Sequence, residues 1–212
     1  MMRRRVLIAD DHPMVRDAVR MAIMSQLPHL VVEEATEIES AERIAQTRQD
    51  IALLLLDYQL PDAEGFSGFF RLQHVLGNVP IAIISAFDEP KIINAAKAVG
   101  AAGFISKSQP LDQIAMAIGT LVTGGVVFPA APAIPDALRD MGARMETLSS
   151  AQKRVLAALV RGDLNKQIAA DLELTEATIK AHLTAIFRKL GVSNRLQAIL
   201  SVKPLLDPEG EP

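Results

Sequence analysis

Residues 51–57 read IALLLLD, six apolar side chains that stop on an acid. A run this short, with no polar interruption, suits a strand buried on both faces. It falls far short of the ~20 apolar residues that a membrane helix needs. Outward from it, VLIA (6–9), VPIAIIS (79–85) and GFI (103–105) have the same form, and LVVEEA (30–35) reads as a fifth strand. Helical patterns lie between them. Pro13 suits the first turn of a helix, and Val15, Val19, Ala22, Ile23 and Leu27 recur at helical spacing. Residues 39–48 read as a polar helix. A turn-rich loop, LPDAEG (60–65), precedes a helix through Leu76. Residues 90–99 and 111–123 complete the set, the last with Leu111, Ile114, Ala115, Ile118, Leu121 and Val122 on one stripe.

Five buried strands alternating with five helices predict an α/β doubly wound five-stranded parallel sheet, flavodoxin-like, with ligands beyond the carboxyl ends of its strands. From Gly124 the period fails. GGVVFPAAPAIPDAL (124–138) holds three prolines and reads as a semi-extended linker. From Leu148 the pattern is purely helical. The predicted division is 1–123, a linker over 124–145, an all-α domain over 146–203, and an acidic tail over 204–212. Charge follows the same division. Residues 1–123 carry 11 basic against 15 acidic side chains, and residues 146–203 carry 9 against 5. A basic rear half suits a polyanionic partner. The chain has no cysteine, which excludes disulfides, thiolate zinc sites and a cysteine nucleophile. The N-terminal apolar run stops at Asp10 and is too short for a signal peptide, so a cytoplasmic protein with no membrane partner is expected.

The strand ends carry the chemistry. The first ends in Asp10 and Asp11, the third in Asp57 and the fourth in Ser85, while Lys107 follows the fifth. A doubly wound sheet brings these to one rim. Crowded carboxylates repel unless a cation joins them, and oxygen ligands with a few waters suit Mg²⁺. A carboxylate beside such an ion and a lysine can attack a phosphoryl donor to give an aspartyl phosphate, with Ser85 donating a hydrogen bond to a phosphoryl oxygen.

Residues 1–123 resemble a response-regulator receiver domain in DDHP (10–13), Asp57, LPDAEG (60–65), Ser85-Ala86 and GFISKS (103–108). The resemblance implies that Asp57 is the phosphoacceptor. It implies that Asp11 binds Mg²⁺ directly, Asp10 through water and Gln59 through its backbone carbonyl. Ser85 and Lys107 would contact the phosphoryl group, and Phe104 would be the aromatic switch that swings inward as Ser85 moves. Tyr58 departs from the pattern, standing where an aliphatic residue is usual.

In the rear half, Ser149 and Gln152 form a capping box opening a helix over 150–161, which Gly162 closes. Asn165 is the expected N-cap of a short helix over 166–172. Thr175 caps a helix over 176–190, and a last helix starts near Asn194. On the 176–190 helix, Ile179, Leu183, Ile186, Phe187 and Leu190 share a core face. The opposite face carries Ala177, Ala181, Thr184, Ala185 and Arg188, with Lys180 on its shoulder. Small side chains there let a backbone approach a groove, and Lys180, Thr184 and Arg188 can reach base edges or phosphates. Lys166, Lys189 and Arg195 are candidate phosphate contacts.

Residues 148–201 resemble the LuxR/NarL-type helix-turn-helix in Leu148, NKQIA (165–169), TIKAHL (178–183), IFRKLGV (186–192) and Asn194-Arg195. By that resemblance the 176–190 helix is the recognition helix, with Lys180, Ala181 and Thr184 facing bases and His182 on the flank. Ala151-Gln152 departs from an Arg-Glu pair usual there. The two resemblances together imply a DNA-binding response regulator rather than an enzyme. The same resemblances imply that a sensor histidine kinase phosphorylates Asp57 and that the effector helix, freed from the receiver, dimerises on double-stranded promoter DNA to give a homodimer. Two rivals remain open. Aspartate-nucleophile phosphohydrolases also place an acid after a strand, but they want a second acid where Gln59 stands. A regulator working without phosphorylation would keep the helices and ignore the acids.

Overall fold

The computed structural model describes residues 4–63, 65–130 and 133–206. The acids of the expected tail, Asp207, Glu209 and Glu211, lie outside the described residues. Five strands, β1 (Arg5–Ala9), β2 (Val31–Ala35), β3 (Ile51–Asp57), β4 (Ile81–Ser85) and β5 (Gly103–Ser106), form one sheet in the order β2-β1-β3-β4-β5, parallel throughout. Helices α1 (Pro13–Gln26), α2 (Ile38–Thr47), α3 (Ser67–Leu76) and α4 (Pro90–Ala98) connect them, and α5 (Leu111–Val122) follows the last strand.

Alternation along each strand divides the core in two. Val6, Ile8, Leu53, Leu55, Ala82, Ile84 and Ile105 face α1 and α5. Leu7, Ala9, Leu54, Leu56, Ile81, Ile83 and Phe104 face the other way, into the cluster holding α2, α3 and α4. The α5 stripe holds at five of its six positions. Leu111 is the exception, 45% exposed as the first residue of the helix.

The segment from Gly124 contains more order than its prolines suggest. Val127 bridges to Gly103 at the edge of β5, and its carbonyl accepts from the Phe104 amide at 2.7 Å. A helix, α6 (Asp136–Glu146), then occupies residues read as semi-extended linker. Leu138, Met141 and Met145 give it an apolar side at helical spacing. Its Gly142 approaches α4 so closely that a Cβ would stand 2.9 Å from the Ala98 carbonyl.

Four more helices follow: α7 (Ser150–Arg161), α8 (Asn165–Asp171), α9 (Glu176–Leu190) and α10 (Arg195–Leu206). Ser149 and Gln152 close the capping box at 3.2 Å and 3.0 Å, and Thr175 caps α9 through the Thr178 amide at 3.1 Å. Gly162 and Gly191 end α7 and α9 at φ of 96° and 72°, where a side chain would be strained. Asn165 is not a cap but the first residue of α8. The cap is Leu164, whose amide donates to the Gln167 side chain at 2.7 Å. The last helix, α10, continues through Pro204 to Leu206, into the stretch read as tail, because Leu205 and Leu206 are buried.

The rear helices pack on the α2–α4 side of the sheet. α7 lies on α3, α6 and α10 lie on α4, and their buried side chains join one apolar cluster with the front domain. The Phe66 amide donates to the Leu206 carbonyl at 2.8 Å. Gly103 makes the β5 edge testable, since a Cβ there would lie 2.7 Å from the Val127 carbonyl and 2.9 Å from Leu121. Gly103→Ala should therefore lower stability by about 1–3 kcal/mol, measured by urea denaturation.

Candidate acceptor site and nucleic-acid interface

The strand order reverses direction around β1 and β3, and a doubly wound sheet opens its crevice at that point. Asp10 follows β1 and Asp57 ends β3 on that crevice. Asp10 is fully buried and Asp57 is 5% exposed. The Lys107 ammonium, carried in by β5, stands 2.7 Å from Oδ2 of each. One cation thus bridges two buried carboxylates, which offsets part of the cost of burying them. Burial pushes the Asp57 carboxyl above its ordinary range, Lys107 pulls it down, and the charge of Asp10 raises it further.

Of the residues expected here, Asp10, Asp57 and Lys107 meet directly. Asp11 stands at the rim, with its carboxylate 39% exposed. The Gln59 amide donates to Asp57 Oδ1 at 3.4 Å. The Ser85 hydroxyl is buried and accepts from the Phe87 amide at 3.0 Å, so it is engaged within its own turn. Phe104 is 1% exposed and already lies inside, packed on the α2–α4 side.

Asp10, Asp11, His12 and Asp57 can bring one ligand atom each to within 4.8 Å of one another. Three of those four donors are carboxylates, the hard oxygens that Mg²⁺ prefers, so the residues fit that ion. His12 escaped the sequence reading. Its Nδ1 lies 2.6 Å from Asp11 Oδ1 and 3.4 Å from Asp10 Oδ1. Its place after two strand-end acids was the available signal. Asp62, an acid of the LPDAEG loop, turns away to cap α2 through the Ile38 and Glu39 amides at 2.9 Å and 3.0 Å.

In the rear domain, Ile179, Leu183, Ile186 and Leu190 are buried, while Phe187 is half-buried. Lys180, Ala181, Thr184 and Arg188 are exposed on the opposite side, and Lys166 is exposed on α8. α9 packs on α6, α7, α8 and α10, which leaves this row facing solvent. His182 is half-buried at the flank. Two expected phosphate contacts already have partners. Lys189 Nζ donates to the Thr147 carbonyl at 2.7 Å and to Gln152 Oε1 at 2.8 Å, and Arg195 donates to the Asp163 carbonyl at 2.7 Å. The neutral Gln152 thus ties α9 to the cap of α7. Arg144, from the unforeseen α6, donates to the Leu190 carbonyl at 2.7 Å and so caps α9.

A carboxyl whose pKa is raised by folding binds its proton more tightly in the fold. The stability it contributes is present at low pH and is lost as pH rises from about 4 through the folded value. Asp57→Asn should therefore raise the thermal midpoint at neutral pH without divalent cations. The gain should shrink as the buffer approaches about pH 4, as followed by circular dichroism.

The description "Response regulator receiver domain" matches residues 6–119, and "Bacterial regulatory proteins, luxR family" matches residues 146–202. The glycerol metabolism activator of Pseudomonas putida is 36% identical over 209 residues, covering 93% of this chain and 94% of its own length. Transcriptional regulatory protein MctR of Rhizobium johnstonii is 30% identical over 199 residues, covering 89% and 88%. The RcsB response regulator of Salmonella typhimurium shares the fold at a TM-score of 0.54 and 22% identity, over 96% of this chain and 99% of its own. A doubly wound receiver sheet followed by a four-helix LuxR-type unit, matched along nearly the whole chain, makes this protein a member of the DNA-binding response regulators of the NarL/LuxR family, which regulate transcription.

Proposed function

We propose that Asp57 is the phosphoacceptor of this regulator and that a sensor histidine kinase is its donor. One observation carries the proposal. Three separate strand ends deliver Asp10, Asp57 and Lys107 to a single point. Asp11, the Asp10 and Asp57 carboxylates and the Gln59 carbonyl would hold Mg²⁺, whose charge would neutralise phosphoryl oxygens during transfer. Lys107 would move from bridging two acids to pairing with the new phosphoryl group, and Ser85 would exchange the Phe87 amide for a phosphoryl oxygen. Phe104 would act as the switch by its packing on the effector side of the sheet.

The reading assigns residues 1–123 to the receiver and 146–203 to the effector, now extended by α6 and the end of α10. The effector, as a cytoplasmic homodimer, would place α9 of each copy in successive major grooves of promoter DNA. Lys180, Ala181 and Thr184 would face bases, with Arg188 and Lys166 on phosphates. Lys189 and Arg195 would reach DNA only by leaving their present partners, so they rank below Lys166 as phosphate contacts.

A phosphate-trapping gel after acetyl phosphate and Mg²⁺ should retard the wild-type chain and leave Asp57→Ala unshifted. An unshifted wild type would favour a regulator that works without phosphorylation. On the DNA side, Lys180→Ala should cost about 1–3 kcal/mol on the preferred operator and relax its specificity. Lys166→Ala should weaken all sequences alike and reduce the salt slope by about 1 in a fluorescence-anisotropy titration.

A further inference from the structure

Tyr58 stands out in the sequence beside Asp57, and the acceptor chemistry gives its ring no task. The fold does. Its ring lies 5.3 Å from that of Phe66, centroid to centroid. Phe66 lies 6.4 Å from Phe69, and Phe69 lies 5.5 Å from Phe70. All four rings are buried, with exposures of 1–4%, and the contacts beyond the first are edge-to-face. A continuous aromatic row therefore runs from the residue after the acceptor into the middle of α3.

The far end of the row reaches the effector domain. The Lys153 ammonium of α7 sits 5.7 Å from the centre of the Phe70 ring, and its Nζ donates to Gln73 Oε1 at 3.1 Å. One residue further along α3, His74 Nδ1 lies 2.9 Å from the Ser150 hydroxyl. At the start of the helix, the Phe66 amide holds the Leu206 carbonyl of α10. The near end is tied to the acceptor rim, where the Tyr58 amide donates to the Ile84 carbonyl of β4 at 3.4 Å. Close-packed rings leave no slack, so a shift at one end must be taken up at the other or by repacking. Beside the seam lies a cleft of about 680 Å³, with Glu42 and Arg71 on the receiver side and Arg154 and Asp171 on the effector side. Along this stretch α7 and α3 are already parted by open space.

We propose that the row Tyr58–Phe66–Phe69–Phe70 carries the state of the acceptor site to the effector domain, so that charging Asp57 loosens the seam between α3 and α7. The inference rests on Asp57 being the phosphoacceptor. It names a route separate from Ser85 and Phe104, and one that depends on the aromatic residue at position 58.

The chain has no cysteine, so two introduced thiols label cleanly. Gln46→Cys, one turn beyond the cleft residue Glu42 on α2, and Ala170→Cys, next to the cleft residue Asp171 on α8, are exposed and stand on the two domains. Energy transfer between dyes at these positions is read in the full-length protein before and after acetyl phosphate and Mg²⁺, with the phosphate-trapping gel run on the same samples. In the wild-type background, phosphate should lower the transfer. Tyr58→Leu should take phosphate to the wild-type extent but lose at least about threefold of that change, and Tyr58→Phe, which keeps the ring, should restore it. Phe66→Leu breaks the same row at its second ring and serves if Tyr58→Leu fails to fold by circular dichroism. A phosphorylated Tyr58→Leu protein that opens as fully as wild type overturns the route. So does a wild type that takes phosphate with no change in transfer. A wild type that takes no phosphate overturns the acceptor reading and this route with it.

Discussion

The ammonium of Lys107, 2.7 Å from both Asp10 and Asp57, is the interaction on which the functional end of this molecule depends. Two carboxylates buried at the end of a hydrophobic sheet would repel each other and lack solvation. A single, partly buried cation between them makes the arrangement tolerable. It does not make it comfortable, because the Asp57 carboxyl still sits above its ordinary range. A site held short of full compensation has spare capacity for another cation, and the exposed Asp11 carboxylate supplies a further oxygen at the open side. The sheet order makes this possible: β1 and β3 are neighbours, and β5 reaches the same rim across β4.

Much of this was legible from the chain. Continuous apolar runs such as residues 51–57 mark strands buried on both faces, and the helices between them then force a parallel sheet. An acid, a hydroxyl or a lysine just past such a run must lie at the carboxyl rim, which is why Asp10, Asp57, Ser85 and Lys107 could be grouped without coordinates. What escaped has physical reasons. Helix α6 was hidden by Pro129, Pro132 and Pro135, although Leu138, Met141 and Met145 keep a helical period just beyond them. Asn165 reads as a cap by type, but the chain uses Gln167 against the Leu164 amide instead. Leu111 follows the apolar stripe and still reaches solvent, because periodicity fixes a direction and not how far the neighbouring element extends. Partners within the rear domain were equally invisible: nothing in the sequence commits Lys189 to Thr147 and Gln152.

Where the effector sits could not be read from sequence at all, and it alters the expected picture of restraint. Among the described residues, Lys180, Ala181, Thr184 and Arg188 of α9 stay exposed beside the receiver. The receiver grips α7, α6 and the end of α10. The helix that faces DNA and the surfaces that face the receiver are therefore different parts of the same small bundle, tied together by Arg144 and Lys189 at the ends of α9 and α7.

The strength of that grip decides whether a receiver can govern it. Moving an equilibrium from 1:99 to 99:1 takes about 5.5 kcal/mol, so a controllable seam must not exceed a few kcal/mol by much. The polar contacts of the seam along α3 are of the modest kind, among them one hydrogen bond from Lys153, one between His74 and Ser150, one from the Phe66 amide to the Leu206 carbonyl, and one cation over a ring. Each such contact contributes on the order of 0.5–1.5 kcal/mol net. Burial works against them, since it pulls the Lys153 ammonium below its ordinary range despite Glu146, and pulls the His74 imidazole down with help from the charge of Arg154. The Lys153 cation is thus held at a cost in solvation that partly cancels what its contacts return, while His74 is held toward its neutral form. The cleft alongside interrupts the packing on one side of the polar seam. The polar part of this contact is specific in geometry and small in net free energy, so the apolar cluster that the receiver shares with α6, α7 and α10 is the larger part of what a charge at the far end of the sheet must overcome.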